Sequence, residues 1–212
     1  VTTAAFRQCR PSDREKALPL IISSGPEAFR YVFCDRQSEQ LTSFLERAFV
    51  AKGNEFSHDQ HLALIDKDQL VAVGALRYAE QTHRFTVAAM RLIFAHYSPL
   101  AALRTAWRGL RTESVIKPPG KGVAFIYQLA VCPEQRSRGF GRQMIAELLS
   151  RARQQGYCRA GLNVSVENPR AQALYEQLGF RVQREYSGRL RSPYGYVPGQ
   201  RYMECELHAT TQ

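Results

Sequence analysis

The sequence predicts an α+β fold, a mixed and mostly antiparallel β-sheet with helices on both faces. Three observations carry this expectation. Apolar segments of strand and helix length follow one another as strand, helices, three strands, helix, strand, helix, two strands. Strands that neighbour each other without an intervening helix imply antiparallel pairs. One strand–helix–strand unit, through Gly139 to Gln155, implies a local parallel pair. With 212 residues and 44% apolar content, the chain suits one domain over 1–212 with a sizeable core.

The elements follow in order. Phe6 to Arg10 reads as a short first strand, and Pro11-Ser12-Asp13 starts a helix running toward Ser23-Ser24-Gly25-Pro26. A second helix covers about Ser38 to Ala51, with Leu41, Phe44, Leu45, Ala48 and Phe49 on one face, and Gly53 closes it. His61 to Ile65 and Leu70 to Tyr78 alternate as strands around the turn Asp66-Lys67-Asp68-Gln69.

A segment at about 81–119 is longer than a hairpin connection needs and reads as a helical insertion. Its first helix carries Met90, Ile93, Phe94 and Tyr97. Its second starts at Ser98-Pro99, with Leu100, Leu103, Trp107 and Leu110 on one face and Arg104, Arg108 and Arg111 on another. The expectation is an amphipathic cover over the sheet edge, leucines and Trp107 inward and arginines solvated.

Val123 to Val131 is β-branched and aromatic, short enough for a buried strand, and ended by Pro133. Met144, Ile145, Leu148 and Leu149 then recur at helical spacing against Arg142, Gln143, Glu147 and Arg151, as far as Gly156. Arg159 to Val166 is a strand. Asn168 can cap the next helix, Pro169 suits its first position, Ala171, Leu174 and Leu178 make its apolar face, and Gly179 can end it. Phe180 to Tyr186 and Tyr202 to His208 form a last strand pair around a long loop.

Chemistry concentrates in Val131-Cys-Pro-Glu-Gln-Arg-Ser-Arg-Gly-Phe-Gly-Arg142. Gly139 and Gly141 leave the backbone bare where a helix begins. Unpaired amides and the positive end of the helix dipole, beside Arg136, Arg138 and Arg142, suit a phosphate group. The plainer alternative is a tight turn with solvated arginines. Neither common nucleotide loop fits. Gly141 is followed by Arg142-Gln143 rather than Lys-Ser/Thr, and Met144 stands where a dinucleotide fingerprint has its third glycine.

The net charge is +10 from 29 basic residues; five are lysine and the remaining 24 arginine, an excess suited to forked recognition of phosphate or carboxylate. It would also suit nucleic acid. Cys9, Cys34, Cys132, Cys158 and Cys205 include no Cys-x-x-Cys and sit mostly in apolar segments, which suggests reduced, buried thiols in a cytoplasmic protein. His58 and His61 read as a surface turn, with no zinc-type ligand set and so no expected metal. No signal peptide is expected at the start, and Arg91, His96 and Arg104 break the longest apolar stretches, so no membrane span is expected.

Two motifs in order carry a resemblance. Val131-x-Pro133-x-x-Arg136-x-x-Gly139-x-Gly141, then Asn168-Pro-Arg-Ala-x-x-Leu-Tyr175-x-x-x-Gly179-Phe180, resemble the GNAT superfamily of acyl-CoA-dependent N-acetyltransferases, strongly over Ile126 to Tyr186. Ser24 to Phe33 resembles the opening of a bacterial branch of it. The resemblance implies a three-layer sandwich and acetyl-CoA as cosubstrate. It implies that Arg136, Ser137, Arg138, Gly139, Phe140, Gly141 and Arg142 hold the pyrophosphate, that Leu129, Ala130 and Val131 pair with the pantetheine arm, and that Asn168 touches it. Tyr175 matches the residue that protonates or hydrogen-bonds the departing thiolate; taken alone, a tyrosine at the edge of a helix face is ordinary packing.

The implied reaction is direct attack by a neutral amine, with the thioester carbonyl polarised by a strand amide near Val131. Deprotonating a lysine-like amine at pH 7 costs roughly 4–5 kcal/mol, an α-amine about 1. Relatives that acetylate protein N-termini often carry glutamate where Asn163 stands, and asparagine cannot be a base. Tyr127 and Gln128 are poor bases, and Glu167 suits a helix dipole, so no base is assigned.

The acceptor, a small-molecule or peptide amine, is expected between the early helices and the final loop, with Glu27, Phe29, Tyr194 and Tyr196 as contacts. The insertion could wall that site or form a homodimer contact. The rival reading is a CoA-binding or nucleic-acid-binding module without turnover, nucleic acid being the weaker partner because Trp107 is expected among leucines.

Overall fold

The computed structural model describes residues 4–35, 39–188 and 190–207. Seven strands form the main sheet, in the order β1, β2, β3, β4, β5, β9, β6. They are β1 (Ala5–Gln8), β2 (His61–Asp66), β3 (Gln69–Arg77), β4 (Val123–Val131), β5 (Arg159–Ser165), β6 (Arg181–Tyr186) and β9 (Gln200–Glu206). Every pair is antiparallel except β4–β5. That one parallel pair is the unit expected from the helix at Gly139, here α6 (Phe140–Gln154). The expected last strand ends one residue inside the described chain, and His208 lies outside the described residues, as does Ser38 at the start of the second expected helix.

Each sheet face has its own core. On one face, Phe140, Met144, Ile145 and Leu148 of α6, with Tyr175 of α7 (Pro169–Gln177), pack on Leu62, Leu64, Ile126, Leu162 and Met203. On the other, α1 (Arg14–Ser23), α2 (Pro26–Phe33) and α3 (Glu39–Val50) bury Ile21, Tyr31, Phe33, Phe44 and Phe49. The insertion forms α4 (Thr82–His96) and α5 (Pro99–Thr112), which join this second core. The loop after β6 is not loose. It forms a hairpin, β7 (Leu190–Ser192) and β8 (Gly195–Val197), whose Leu190 and Val197 are buried in the same core.

Several details depart from the sequence reading. The face of α5 is reversed: Trp107 and Leu103 are each 58% exposed, whereas Ala101, Ala102, Thr105, Ala106 and Arg108 face inward. The reason is close helix approach. Gly109 lies against Val32 of α2, with only 3.8 Å from the position of a Cβ to Val32 Cγ1, and small side chains permit this where leucines would not. Arg108 is 8% exposed, and its Nη1 donates to Cys34 O at 2.8 Å. Tyr97 Oη donates to Phe33 O at 2.9 Å. The two donors satisfy carbonyls that the end of α2 leaves without helical partners.

His58 and His61 are buried rather than in a surface turn. Their Nδ1 atoms lie 2.8 Å from Phe49 O and Ser57 O, tying the loop after α3. All five cysteines are free thiols; Cys9, Cys34 and Cys205 are buried as expected, whereas Cys132 is half-buried and Cys158 exposed. Among the described residues, no helix is long and apolar enough to cross a membrane and no group of side chains could hold a metal ion.

Candidate active site

The site is a gap in the sheet. β4 and β5 pair from Val123↔Arg159 only as far as Ile126↔Leu162, then part. Just beyond, β4 bulges. Val73 pairs with Ala130 and Ala75 with Tyr127, so Gly74 alone faces Gln128 and Leu129. Gln128 takes a left-handed backbone (φ +50°), an uncommon conformation for a residue with a Cβ. From the bulge onward, β4 keeps β3 on one edge and, among the described residues, has no strand on the other. That edge, at Leu129, Ala130 and Val131, offers backbone donors and acceptors to an extended ligand. A single cleft of about 860 Å³ passes through the gap.

At one end lies the turn before α6. Gly139 caps α6 with φ +82°, and Ser137 is also left-handed at φ +66°. The first intrahelical bond runs from the Gln143 amide to Gly139 O (3.0 Å), so the amides of Phe140, Gly141 and Arg142 precede it and are free to meet an anion. A Cβ on Gly141 would meet only Leu174 Cδ2 and Val131 Cγ2, at 3.5 and 3.6 Å. Both are ordinary van der Waals contacts, so the protein itself has room for a methyl there.

Gln135, Arg136, Ser137, Gly139, Phe140, Gly141 and Arg142 all line this end, with Leu129, Ala130, Val131 and Asn168. Arg138 is the exception. Its side chain turns to Gln135 and, at 3.7 Å, to Asp66, away from the lining. Arg170 lines the cleft instead and donates to Ser137 Oγ at 2.9 Å. It stands inside the Asn-Pro-Arg-Ala motif, the signal by which sequence reasoning could have found it. Asn168 spends Oδ1 on capping α7, accepting from the Ala171 amide at 3.1 Å.

Tyr175 lines the middle of the cleft on the α6–α7 face, 8% exposed. Burial pushes its phenol up to about 12, so it stays protonated at neutral pH. Full transfer of that proton to a thiolate, whose acid has an ordinary pKa near 8.5, would be uphill by about 5 kcal/mol. At neutral pH the Tyr175 hydroxyl is therefore a hydrogen-bond donor facing the cleft rather than a proton source.

The other end lies across the sheet. Side chains alternate along a strand, so with Leu162 and Val164 in the α6–α7 core, Asn163 points to the opposite face. Its Oδ1 and Nδ2 are both buried and lack a hydrogen-bond partner, although the residue lines the cleft. A carboxamide with neither atom satisfied is costly unless something enters to bond it.

Glu55, in the loop between α3 and β2, lines this end and pairs with Arg77 at 3.0 Å. Burial pushes the Glu55 carboxyl up; Arg77 pulls it down and Glu113 raises it further. Tyr127 Oη donates to Glu55 O at 3.1 Å and steadies the loop. Sequence reasoning missed Glu55, since nothing in Gly53-Asn-Glu-Phe-Ser57 announces its approach to strands β3 and β4.

Behind the bulge, Gln128 and His61 are joined, Oε1 to Nε2, at 2.7 Å. Phe29 does line the acceptor end. Glu27, Tyr194 and Tyr196 do not: Glu27 pairs with Arg30 at 2.8 Å, Tyr194 packs on the second core, and Tyr196 Oη donates to Glu167 at 2.9 Å. The final loop contributes Pro198 and Gln200 to the cleft, at its end rather than through its tyrosines, and the insertion and the segment after it add Thr112, Glu113, Ile116 and Lys117.

The chain is similar to known acetyltransferases in sequence and in fold. The sequence profile of the Acetyltransferase (GNAT) family matches residues 27–180. A mycothiol acetyltransferase of Kocuria rhizophila is 30% identical over 110 residues, which cover 52% of this chain and 35% of that protein. One of Beutenbergia cavernae is 42% identical over 65 residues, 31% of this chain and 22% of that protein. The chain thus spans about a third or less of the length of these relatives. A crystal structure of an N-acetyltransferase from Staphylococcus aureus Mu50 superposes with a TM-score of 0.70 at 15% identity, covering 95% of this chain and all of that one. That superposition establishes the shared fold, and the profile match over most of the chain establishes its kinship: this chain belongs to the GNAT acetyltransferase family.

Proposed function

We propose that the chain transfers an acetyl group from acetyl-CoA to a primary amine of a small molecule or peptide by direct attack. The observation that carries this is the continuous cleft through the sheet, with an anion-binding turn at one end and a carboxylate-bearing pocket at the other. The turn Arg136–Arg142 holds the pyrophosphate by backbone amides, with Arg136, Arg142 and Arg170 as counter-charges. The free edge of β4 at Leu129 to Val131 pairs with the pantetheine arm, and an amide at the bulge polarises the thioester carbonyl.

The thioester is delivered to the gap, where the amine meets it from the Asn163 face. The nitrogen lone pair forms the N–C bond, the C–S bond breaks, and sulfur leaves with its pair against the hydroxyl of Tyr175. The five free thiols are in keeping with a reducing compartment such as the cytoplasm.

Calorimetric titration with acetyl-CoA, followed by thiol release across a panel of primary amines, tests the reading. Saturable acetyl-CoA binding with amine-dependent thiol release is the expected result. Binding with no release for any amine would reduce the chain to a binding module.

A further inference from the structure

Resting on that reading, we propose that Glu55 receives the proton of the attacking amine, and that the acceptor is a primary amine carried on an apolar, uncharged body. The placement comes first. Asn163 and Glu55 line the same cleft as Tyr175, and Asn163 faces the side of the sheet opposite Tyr175's core. An amine bound there would approach the carbonyl from the side away from the departing sulfur's partner.

The unsatisfied carboxamide of Asn163 supplies what such an amine lacks. Oδ1 can accept one N–H, leaving the lone pair aimed at the gap, and Nδ2 is free to donate to the acetyl group. Among the described residues that line this end, Glu55 and Glu113 are the carboxylates, with Arg77 and Lys117 the cations. The four charges cancel and leave no spare counter-charge for an ammonium; an amine that gives its proton to Glu55 is neutral, and a second cation on it would find no partner.

Phe29, Phe33, Phe56, Phe125, Ile116 and Pro118 make the apolar part of the wall, with the hydroxyls of Ser23, Ser24 and Thr112 and, among the described residues, no further charge beside them. Such a wall favours hydrocarbon and leaves a second ammonium without hydration or counter-ion.

The protons balance as follows. An arriving ammonium gives one proton to the Glu55 carboxylate, making neutral amine and carboxylic acid. The neutral nitrogen attacks and, on collapse of the adduct, releases a second proton to solvent, and the thiolate that leaves against the Tyr175 hydroxyl takes a proton back from solvent. For a neutral amine the sum is amine plus thioester giving amide plus thiol, with no net proton. Glu55 returns its proton to solvent before the next turnover.

The groups facing Glu55 are Arg77 from β3, Tyr127 from β4 and Glu113 from the end of α5, with Lys117 in the same wall. Burial and Glu113 outweigh Arg77, so the carboxyl titrates above the ordinary carboxylate range. The base form therefore grows in at higher pH than for an ordinary carboxylate, and activity should rise with it.

The test is steady-state kinetics of the full chain with 2-phenylethylamine and with spermidine, across pH, for wild type, Glu55→Gln and Glu55→Asp. We expect wild type to prefer 2-phenylethylamine. Glu55→Gln should lose about 10²-fold in kcat and its acidic limb, with unchanged acetyl-CoA affinity, and Glu55→Asp should recover part of the rate and keep the limb. Preference for spermidine, or a Glu55→Gln variant with wild-type rate and pH profile, overturns the proposal while leaving acetyl transfer standing. Absence of transfer to every amine by wild type overturns the parent reading instead.

Discussion

The two ends of the cleft are built in different ways. The proposed phosphate end draws most of its lining from one stretch of chain, Gln135 to Arg142, joined by Asn168 and Arg170, and the donors it offers there include the free main-chain amides at the start of α6. The acceptor end assembles side chains from α2, the loop after α3, β3, β4, α5 with the segment after it, and β5. A backbone site needs only a local conformation, and that conformation is imposed by glycine. A side-chain site needs the whole fold first.

Substitution of Gly139 should break the contrast most sharply. Gly139→Val forces a β-branched residue to φ +82°, and so disorders the turn that aims the amides. Acetyl-CoA binding should fall by more than about 10²-fold, since several hydrogen bonds of about 1.5–3 kcal/mol to charged oxygens are lost together. The acceptor end shares no residue with the turn, so circular dichroism and thermal unfolding should remain those of a folded chain. An unchanged calorimetric affinity would show that the backbone of this turn does not hold the cosubstrate.

Tyr175→Phe probes the middle of the cleft. It keeps the ring that packs 6.1 Å from Phe180 and removes only the hydroxyl. One hydrogen bond to developing thiolate charge is worth about 10- to 100-fold in kcat, with acetyl-CoA affinity unchanged. Full activity would return Tyr175 to a packing role.

This contrast also decides what could be read in advance. Gly139, Gly141, Asn168 and Tyr175 lie in two contiguous motifs, and the strand–helix order around them is visible as periodicity. Glu55 carries no local mark, because its meaning comes from Arg77 and Tyr127, which are brought to it by sheet pairing. The α5 face was misleading for a definite reason. Leu100, Leu103, Trp107 and Leu110 form the larger apolar stripe, yet the smaller stripe of Ala101, Ala102, Thr105 and Ala106 faces inward. Periodicity identifies a stripe; how closely two helices approach decides which stripe is buried, and that distance is a tertiary property. Arg108 belongs to the inward face for the same reason, since only from there can it reach Cys34 O.

A smaller effect bears on the bulge behind the acceptor end. His61 is fully buried, and burial holds its imidazole below the ordinary range. The unfolded chain takes up that proton near pH 6.5, the folded chain only at lower pH. The histidine's contribution is therefore intact above about pH 6.5 and is lost as the pH falls through the folded-state value. His61→Gln should flatten the decline of Tm between neutral and mildly acid pH. An identical slope would assign that decline to other groups.

The smallest expected change lies outside both ends. Lys67 and Asp68 are both left-handed, at φ 48° and 62°, in the two-residue turn between β2 and β3. Glycine suits that conformation, so Asp68→Gly should stabilise the fold by about 0.5 kcal/mol in denaturant unfolding without altering binding.

The short parallel ladder between β4 and β5 has a mechanical meaning as well. Its pairs, from Val123↔Arg159 to Ile126↔Leu162, are the seam between a leaf of β1 to β4 and a leaf of β5, β9 and β6. Beyond Ile126 the seam is unstitched. A cosubstrate arm lying along the free edge of β4 would continue the stitching where the chain stops, acting as a splint between the leaves. Under the proposed function the sheet would be completed by what it binds, and part of the bound molecule's rigidity would belong to the cosubstrate.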